Sequence, residues 1–211
     1  MKTIFAVLTA LLALARAGEA AAACTPYWNE PATISLPAIE YRVADFNEDA
    51  RADVAAITDT TVMVALTNAN GTSNAPVTIA TGAGTFRRIR VADVTGDQHV
   101  DIIVSDTTAK SFSVLAGHGD GTFGAAVTTT TPRAATEFVI GDFTGDQKID
   151  IAWANYAWKT LDVWSGNNLG TFQQVSSMTA WTYVKTFVAG DFDKDGKLDL
   201  FAQLSAQYFP Q

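Results

Sequence analysis

One acidic segment of thirteen residues recurs four times along this 211-residue chain, and the four copies align without gaps. The copies are residues 43–55 (VADFNEDARADVA), 91–103 (VADVTGDQHVDII), 140–152 (IGDFTGDQKIDIA) and 189–201 (AGDFDKDGKLDLF). Their leading aspartates are Asp45, Asp93, Asp142 and Asp191, so successive copies are 48, 49 and 49 residues apart. A fixed period of this length indicates that one supersecondary unit is repeated and that neighbouring units bury apolar surface against each other.

The sequence between the acidic segments is typical of short β-strands and turns. Residues 88–92, 102–105 and 111–116 are brief, apolar or alternating, and rich in β-branched side chains. Turn-forming residues separate such runs at 68–71 (NANG), 117–121 (GHGDG) and 165–168 (SGNN). About four strands fit into each unit, and no segment after the N-terminal leader has a helical apolar period. The sequence therefore predicts an all-β fold, a β-propeller or partial propeller of four-stranded blades.

The acidic segments, together with the turns at 121–124 (GTFG) and 170–172 (GTF), resemble the FG-GAP/VCBS repeats of integrin α-chain-like β-propellers. The resemblance covers nearly all of residues 38–211. It implies a propeller with ion-binding loops between strands, and a function in binding ligands outside the cell. Propellers of this family typically have seven blades, whereas this chain carries four motifs.

Oxygen-bearing residues recur at alternate positions of each acidic loop, counted from its first aspartate as position one. Aspartate occupies positions one, five and nine of all four loops, and position three is Asn, Thr or Asp. Calcium takes about six to eight oxygen ligands, and the carbonyl of position seven would complete the set. The expected ligands are Asp45, Asn47, Asp49, Arg51 and Asp53 in loop 1, Asp93, Thr95, Asp97, His99 and Asp101 in loop 2, Asp142, Thr144, Asp146, Lys148 and Asp150 in loop 3, and Asp191, Asp193, Asp195, Lys197 and Asp199 in loop 4.

Two other interpretations explain the loops less well. An EF-hand requires a bidentate Glu at position twelve, but that position is Ala56, Val104, Trp153 or Ala202. Ordinary turn aspartates would explain single carboxylates, but three within nine residues repel one another without a cation. We therefore expect up to four calcium ions, which would cancel the formal net charge of −8. Loop 4, with four carboxylates, is expected to bind most tightly, and loop 1, which has no glycine, most weakly.

Composition excludes several other functions. Asp and Glu (22) outnumber Lys and Arg (14), and an acidic chain repels phosphate backbones, so nucleic acid is not an expected partner. Two histidines and one cysteine are too few for zinc sites built from Cys and His, and one cysteine cannot form a disulfide within the chain. No arrangement of nucleophile and base is found, so no catalytic residue is assigned.

The N-terminus has the features of a secretory signal peptide. A short basic start precedes an apolar run over residues 4–15, and small residues follow up to residue 23. The run is too short to span a membrane. We expect residues 1–23 to be removed and residues 24–211 to form the repeat domain of a secreted or periplasmic protein. A lipid anchor at Cys24 is the alternative, and Asn70 begins a glycosylation sequon that matters only in a eukaryotic source.

The third unit is rich in aromatic residues, which fill the space between blades or stack on sugars. Tyr156 and Trp158 fall in a predicted turn, so these two are the candidate ligand-binding residues. We expect a secreted calcium-binding module for carbohydrate or protein ligands. The alternatives are a non-catalytic or partial propeller domain of a secreted polysaccharide-acting enzyme, and a structural repeat that binds only calcium.

The number of repeats leaves the closure of the propeller open. Residues 24–211 amount to slightly less than four units, and closed rings generally need about four to eight blades. The chain is then a piece of a longer propeller, an open array that self-association completes, or a four-bladed ring closed by both termini.

Overall fold

The computed structural model describes residues 38–82, 84–155, 159–179 and 184–204. These residues form fourteen β-strands arranged in four antiparallel sheets, and they contain no helix. Within each sheet, strands that are adjacent in sequence pair with each other, so each sheet is an up-and-down meander. The predicted all-β architecture of repeated blades is confirmed.

The four sheets correspond to the four repeats, and we number them as blades 1 to 4. Blade 1 contains β1 (Glu40–Ala44), β2 (Asp53–Ile57), β3 (Thr61–Ala65) and β4 (Val77–Thr81). Blade 2 contains β5 (Phe86–Ala92), β6 (Asp101–Asp106), β7 (Ser111–Leu115) and β8 (Val127–Thr130). Blade 3 contains β9 (Glu137–Gly141), β10 (Asp150–Asn155), β11 (Thr160–Gly166) and β12 (Phe172–Thr179). The described part of blade 4 contains β13 (Val184–Gly190) and β14 (Asp199–Leu204).

Strand position within a blade determines its pattern of polarity. The second strands β2, β6 and β10 are buried along their whole length, and their sequences are nearly continuous apolar runs. The fourth strands β4, β8 and β12 lie at the blade edges, where threonine and serine are frequent and most side chains are exposed. Neighbouring blades cover both faces of β6 and of β10, which explains why the sequences of these strands do not alternate.

Apolar cores lie between consecutive blades. Alternate residues of a strand point to opposite faces, so one second strand contributes to two cores. In β6, Ile102 packs in the core between blades 1 and 2, whereas Ile103 packs between blades 2 and 3. The latter core contains Phe112, Phe138 and Trp153, whose rings make edge-to-face contacts at 5.2 Å and 6.2 Å. Stacking of successive blades through these cores is the expected geometry of a propeller segment.

Charged residues of the first strands also connect the blades. The Arg90 guanidinium donates hydrogen bonds to Glu40 on β1 (3.1 Å) and to Glu137 on β9 (2.8 Å). Arg88 donates to the second carboxylate oxygen of Glu137 at 2.8 Å. Arg90 also lies over the ring of Phe138, 5.0 Å from its centroid. Blades 1, 2 and 3 are thus joined by one network of ion pairs in addition to their apolar cores.

Candidate metal-binding loops

The four acidic loops connect the first and second strands of the blades. Loop 1 (residues 45–53) follows β1, loop 2 (93–101) follows β5, loop 3 (142–150) follows β9 and loop 4 (191–199) follows β13. Loops 1 and 2 are in contact, since His99 Nδ1 of loop 2 is 2.5 Å from Glu48 Oε1 of loop 1. This hydrogen bond raises the pKa of His99.

In each loop the backbone wraps around the carboxylate of the position-one aspartate. Asp93 accepts hydrogen bonds from the backbone N–H groups of Gly96, Asp97 and Gln98 at 2.6–3.2 Å. In every loop position one accepts N–H bonds from positions five and six. The position-five aspartate in turn accepts the N–H of position seven. These bonds form the tight loop and bring the early carboxylates to one side of it.

The position-nine aspartate begins the buried second strand and is itself buried in blades 1 to 3. One oxygen of Asp101 accepts the N–H groups of Val94 and Thr95, and the other accepts the N–H of Gly117, beyond the end of β7. Asp150 accepts the three equivalent bonds in blade 3, and Asp53 accepts two of them in blade 1, from Phe46 and Thr67. Burial raises the pKa of Asp53 and of Asp101, although the backbone donors act in the opposite direction.

Two positions in each loop have a left-handed backbone. Positions four and six have φ between 58° and 87° in all four loops. The residues are Glu48 and Ala50 in loop 1, Gly96 and Gln98 in loop 2, Gly145 and Gln147 in loop 3, and Lys194 and Gly196 in loop 4. Loops 2 to 4 therefore each place a glycine at one of the two strained positions, whereas loop 1 places none.

The carboxylates converge most closely in loops 3 and 4. Oxygens of Asp142, Asp146 and Asp150 lie within 4.8 Å of one another, and so do oxygens of Asp191, Asp193 and Asp195. Among the described residues these are the groups of three or more potential ligands that meet this distance. Both groups belong to the residues that the sequence singled out, although Asp199 is not within the second group.

Loops 1 and 3 each carry a cation at position seven that pairs with the position-five aspartate, and in loop 3 Lys148 Nζ lies 2.7 Å from Asp146 Oδ2. Arg51 Nη2 lies 2.6 Å from Asp49 Oδ2, and Arg51 Nε donates to the carbonyl of Thr67. The amide of Asn47 donates to the same Asp49 oxygen at 2.8 Å. Desolvation acts to raise the pKa of Asp49, but hydrogen bonds from Asn47 and Arg51 hold it below its ordinary value. The position-seven side chain of loop 1 is thus directed at a carboxylate that the sequence predicts to be a metal ligand.

The donor set fits a hard cation. Every side chain at positions one, three, five and nine offers oxygen, the ligand type that calcium prefers. In loop 1 the amide oxygen of Asn47 at position three is buried and accepts no hydrogen bond from the described residues. A buried acceptor without a donor is costly, and coordination to an ion would satisfy it.

The aromatic residues of the third unit divide into two groups. Trp153 and Trp164 are buried in the core between blades 2 and 3, so they pack between blades. Tyr156 and Trp158, the candidate ligand-binding pair, lie outside the described residues, as do the predicted signal peptide and Cys24.

Sequence analysis did not single out Asp106, which lines a cleft between blades 1 and 2. In the sequence, Asp106 is marked only as an aspartate that precedes two threonines, and this pattern is also typical of an ordinary turn.

Comparison with known proteins identifies related repeats and folds. A family model for the FG-GAP-like repeat matches residues 45–104, 93–153 and 142–202. No curated protein sequence matches the chain. Within the part of the chain that the structure describes, no helix is long and apolar enough to cross a membrane.

Solved structures that share the fold include the following two. The first is a lectin from Agrocybe aegerita, described as recognising non-reducing terminal N-acetylglucosamine, with a TM-score of 0.58 and 19% identity. The match covers 77% of this chain and 46% of the lectin chain. The second is the Tc holotoxin pore of Photorhabdus luminescens, with a TM-score of 0.51 and 16% identity over 76% of this chain and 8% of that one. This chain therefore spans less than half the length of either structure.

Proposed function

The chain belongs to the FG-GAP-like repeat family, and from this premise we propose that it is a secreted, calcium-binding β-propeller module that binds carbohydrate. The observation that carries the proposal is the convergence of three carboxylates in loop 3 and again in loop 4. Like charges at this separation repel strongly unless a cation lies between them. Lys148 offsets part of this repulsion in loop 3, and a bound cation would offset the rest there and in loop 4.

Each loop position has a distinct task in holding the ion. Positions one, three and five present side-chain oxygens from the tight turn, and position nine ties that turn to the second strand of the blade. Bound calcium would neutralise these carboxylates and cross-link the two ends of the loop. Because both ends continue directly into strands of the same blade, ion binding is expected to stabilise the blade itself.

Calcium binding is tested on the chelator-treated protein. Titration calorimetry with CaCl₂ should show more than one bound ion, and thermal unfolding should occur at a higher temperature with calcium than with chelator. The same titration with MgCl₂ is the control, because magnesium demands near-octahedral geometry and dehydrates reluctantly. A melting temperature that is equal in calcium and in chelator would rule out a stabilising role for the loops.

Carbohydrate is the ligand class that we propose. The lectin that shares this fold is described as recognising a terminal N-acetylglucosamine, and the acidic composition disfavours polyanionic partners. A glycan array with the fluorescently labelled protein, run with calcium and with chelator, tests the proposal. Binding to a protein but to no glycan would move the module to the protein-binding class.

Secretion and the candidate aromatic pair are tested separately. Sequencing the N-terminus of the exported protein should find that the chain starts after residue 23. Replacing Tyr156 and Trp158 together by alanine should weaken glycan binding if this pair stacks on a sugar ring. Unchanged affinity of the double variant would place the glycan site elsewhere.

A further inference from the structure

A cleft of about 430 Å³ separates the outer parts of blades 1 and 2. Ala80 and Thr81 of β4 form part of one wall, and residues of β6, β7 and β8 form the other. Ligand pockets for small molecules generally have volumes of about 300–1,000 Å³, so the cleft has room for a sugar residue. It lies near the β6–β7 turn, which is at the opposite end of blade 2 from loop 2.

A buried carboxylate faces this cleft. Asp106 is 5% exposed, and its Oδ1 accepts three backbone N–H bonds, from Thr85 (3.0 Å), Thr108 (2.9 Å) and Ala109 (2.8 Å). Its Oδ2 accepts no hydrogen bond from the described residues. Asp106 lines the cleft, and the backbone of Gly84 packs against its carboxylate, because a Cβ at position 84 would overlap it. The orientation of Asp106 is thus fixed through one oxygen while the other remains an open acceptor.

Hydroxyl groups and apolar side chains complete the lining. Ser111 and Ser113 come from β7, and the Oγ atoms of Ser113 and Thr128 share a hydrogen bond at 2.9 Å. Val104 and Leu115 also line the cleft, although only 1% of each is exposed. A sugar presents hydroxyls at its rim and C–H groups on its faces, which matches this mixture. No lysine, arginine or histidine is among the described lining residues, so an anionic ligand would not be recognised.

The equivalent space between blades 2 and 3 is filled by large side chains, so the propeller architecture does not by itself produce a cleft. Repeat alignment and strand register place Trp153 where blade 2 has Val104, and Trp164 where blade 2 has Leu115. Both tryptophans are buried between blades 2 and 3. The cleft between blades 1 and 2 exists because blade 2 carries smaller side chains at these positions.

We propose that this cleft is a carbohydrate-binding pocket, in which Asp106 Oδ2 accepts hydrogen bonds from two hydroxyls of one neutral sugar residue. The inference rests on the proposed function, because it names the ligand site of that module. A protonated amine is the competing ligand for a carboxylate. The sugar is favoured because three backbone donors already compensate the charge of Asp106, and because the rest of the polar lining consists of hydroxyls that both donate and accept.

Two variants test the pocket. Asp106→Asn keeps an oxygen acceptor for the three backbone N–H groups and replaces the open acceptor by a donor. Blade 3 already has asparagine, Asn155, at the equivalent register position, so the fold accommodates it. Ser113→Met introduces the residue that blade 1 has at the equivalent position, Met63, and fills the cleft. Asp120→Asn, an exposed change in the β7–β8 connection of the same blade, is the control.

Titration calorimetry of calcium-loaded protein with N-acetylglucosamine, glucose, galactose and mannose measures the effect, and thermal unfolding verifies that each variant is folded. We expect Asp106→Asn to weaken sugar binding by about tenfold or more, since hydrogen bonds to a charged group are the stronger ones. Ser113→Met should abolish binding, and Asp120→Asn should leave it unchanged. Should one of the two test variants fail to fold, the other still decides the result.

The outcomes separate this inference from the proposed function. A sugar that binds the wild-type protein and both variants equally would place the site elsewhere, while the module would remain a glycan binder. A wild-type protein that binds no sugar in calorimetry or on the array would remove the proposed function and the pocket together. Binding of n-butylammonium but of no sugar, lost in Asp106→Asn, would overturn the carbohydrate assignment and show that the cleft binds amines.

Discussion

The carboxylate of Asp101 accepts a hydrogen bond from the backbone N–H of Gly117, which lies 2.8 Å away and sixteen residues later in the chain. The second oxygen of Asp101 accepts the N–H groups of Val94 and Thr95. One buried side chain therefore joins the start of loop 2, the start of β6 and the end of β7. This arrangement gives the position-nine aspartates a structural role that does not depend on an ion.

The first prediction separates this structural role from metal binding. Asp101→Ala should destabilise the protein by about 3 kcal/mol even in chelator, because three backbone donors lose their buried acceptor. Asp97→Ala, at position five of the same loop, removes an exposed carboxylate and should have little effect in chelator. Urea unfolding of both variants without calcium measures the difference. Equal losses would mean that Asp101 does not organise the blade.

The second prediction ranks the loops by calcium binding. Asp195 belongs to a group of three converging carboxylates, whereas Asp49 is already bound by Arg51 and Asn47. Asp195→Ala should therefore reduce the calcium-dependent rise in melting temperature more than Asp49→Ala does. Loss of the Asp49 ligand matters less because a weakly occupied site contributes little through binding linkage.

The measurement must separate calcium effects from other losses. Asp49→Ala also removes the ion pair with Arg51, and loop 4 lies near the end of the described chain. Each variant is therefore unfolded with calcium and with chelator, and only the difference between the two melting temperatures is compared. If Asp49→Ala reduced the calcium-dependent rise in melting temperature more than Asp195→Ala does, the number of carboxylates would not set the calcium affinity of these loops.

The 49-residue period and the composition of the strands predicted the fold because both are local properties of the sequence. A run such as DIIVSD is recognised as a buried strand without knowledge of its neighbours. The alternating oxygens of the loops were recognised for the same reason. Whether an expected ligand faces an ion or another side chain depends on rotamers, so the pairing of Arg51 with Asp49 could not be predicted.

The sequence pattern did not predict the contacts between blades. Arg88 and Glu137 are 49 residues apart, and Glu40 and Arg90 are 50 apart. These residues occur at equivalent or nearby positions of successive repeats, so the period brings them together only once the blades stack. The cleft at Asp106 depends on the absence of large side chains in one blade, and periodicity carries no signal for such an absence.

The third prediction concerns the ion-pair network of the first strands. Glu137→Ala should destabilise the protein by about 2 kcal/mol, because Arg88 and Arg90 both lose a partner and Arg90 is mostly buried. Arg88→Ala should cost less, since Arg88 is more exposed and Arg90 keeps both carboxylates. Urea unfolding in low and high salt measures both effects. A Glu137→Ala variant as stable as the wild type would show that the apolar cores alone hold the blades together.

The last prediction concerns the backbone of loop 1. Ala50 has a φ of 60°, whereas the fourth loop has glycine at the same position. A left-handed conformation costs a residue with a side chain about 1–2 kcal/mol, and glycine adopts it without that penalty. Ala50→Gly should therefore stabilise the protein by about 1 kcal/mol in chelator, even though glycine increases the entropy of the unfolded chain.

A matched substitution distinguishes this effect from a general effect of glycine. Ala75 lies in the β3–β4 connection, is exposed, and does not have a positive φ. Ala75→Gly should be neutral or destabilising by about 0.5 kcal/mol, because only the unfolded-state entropy changes. Calcium titration of Ala50→Gly then shows whether relief of strain also tightens loop 1. If both glycine variants lost stability to the same extent, the left-handed geometry at Ala50 would carry no cost, and the low affinity expected of loop 1 would have to come from Arg51 alone.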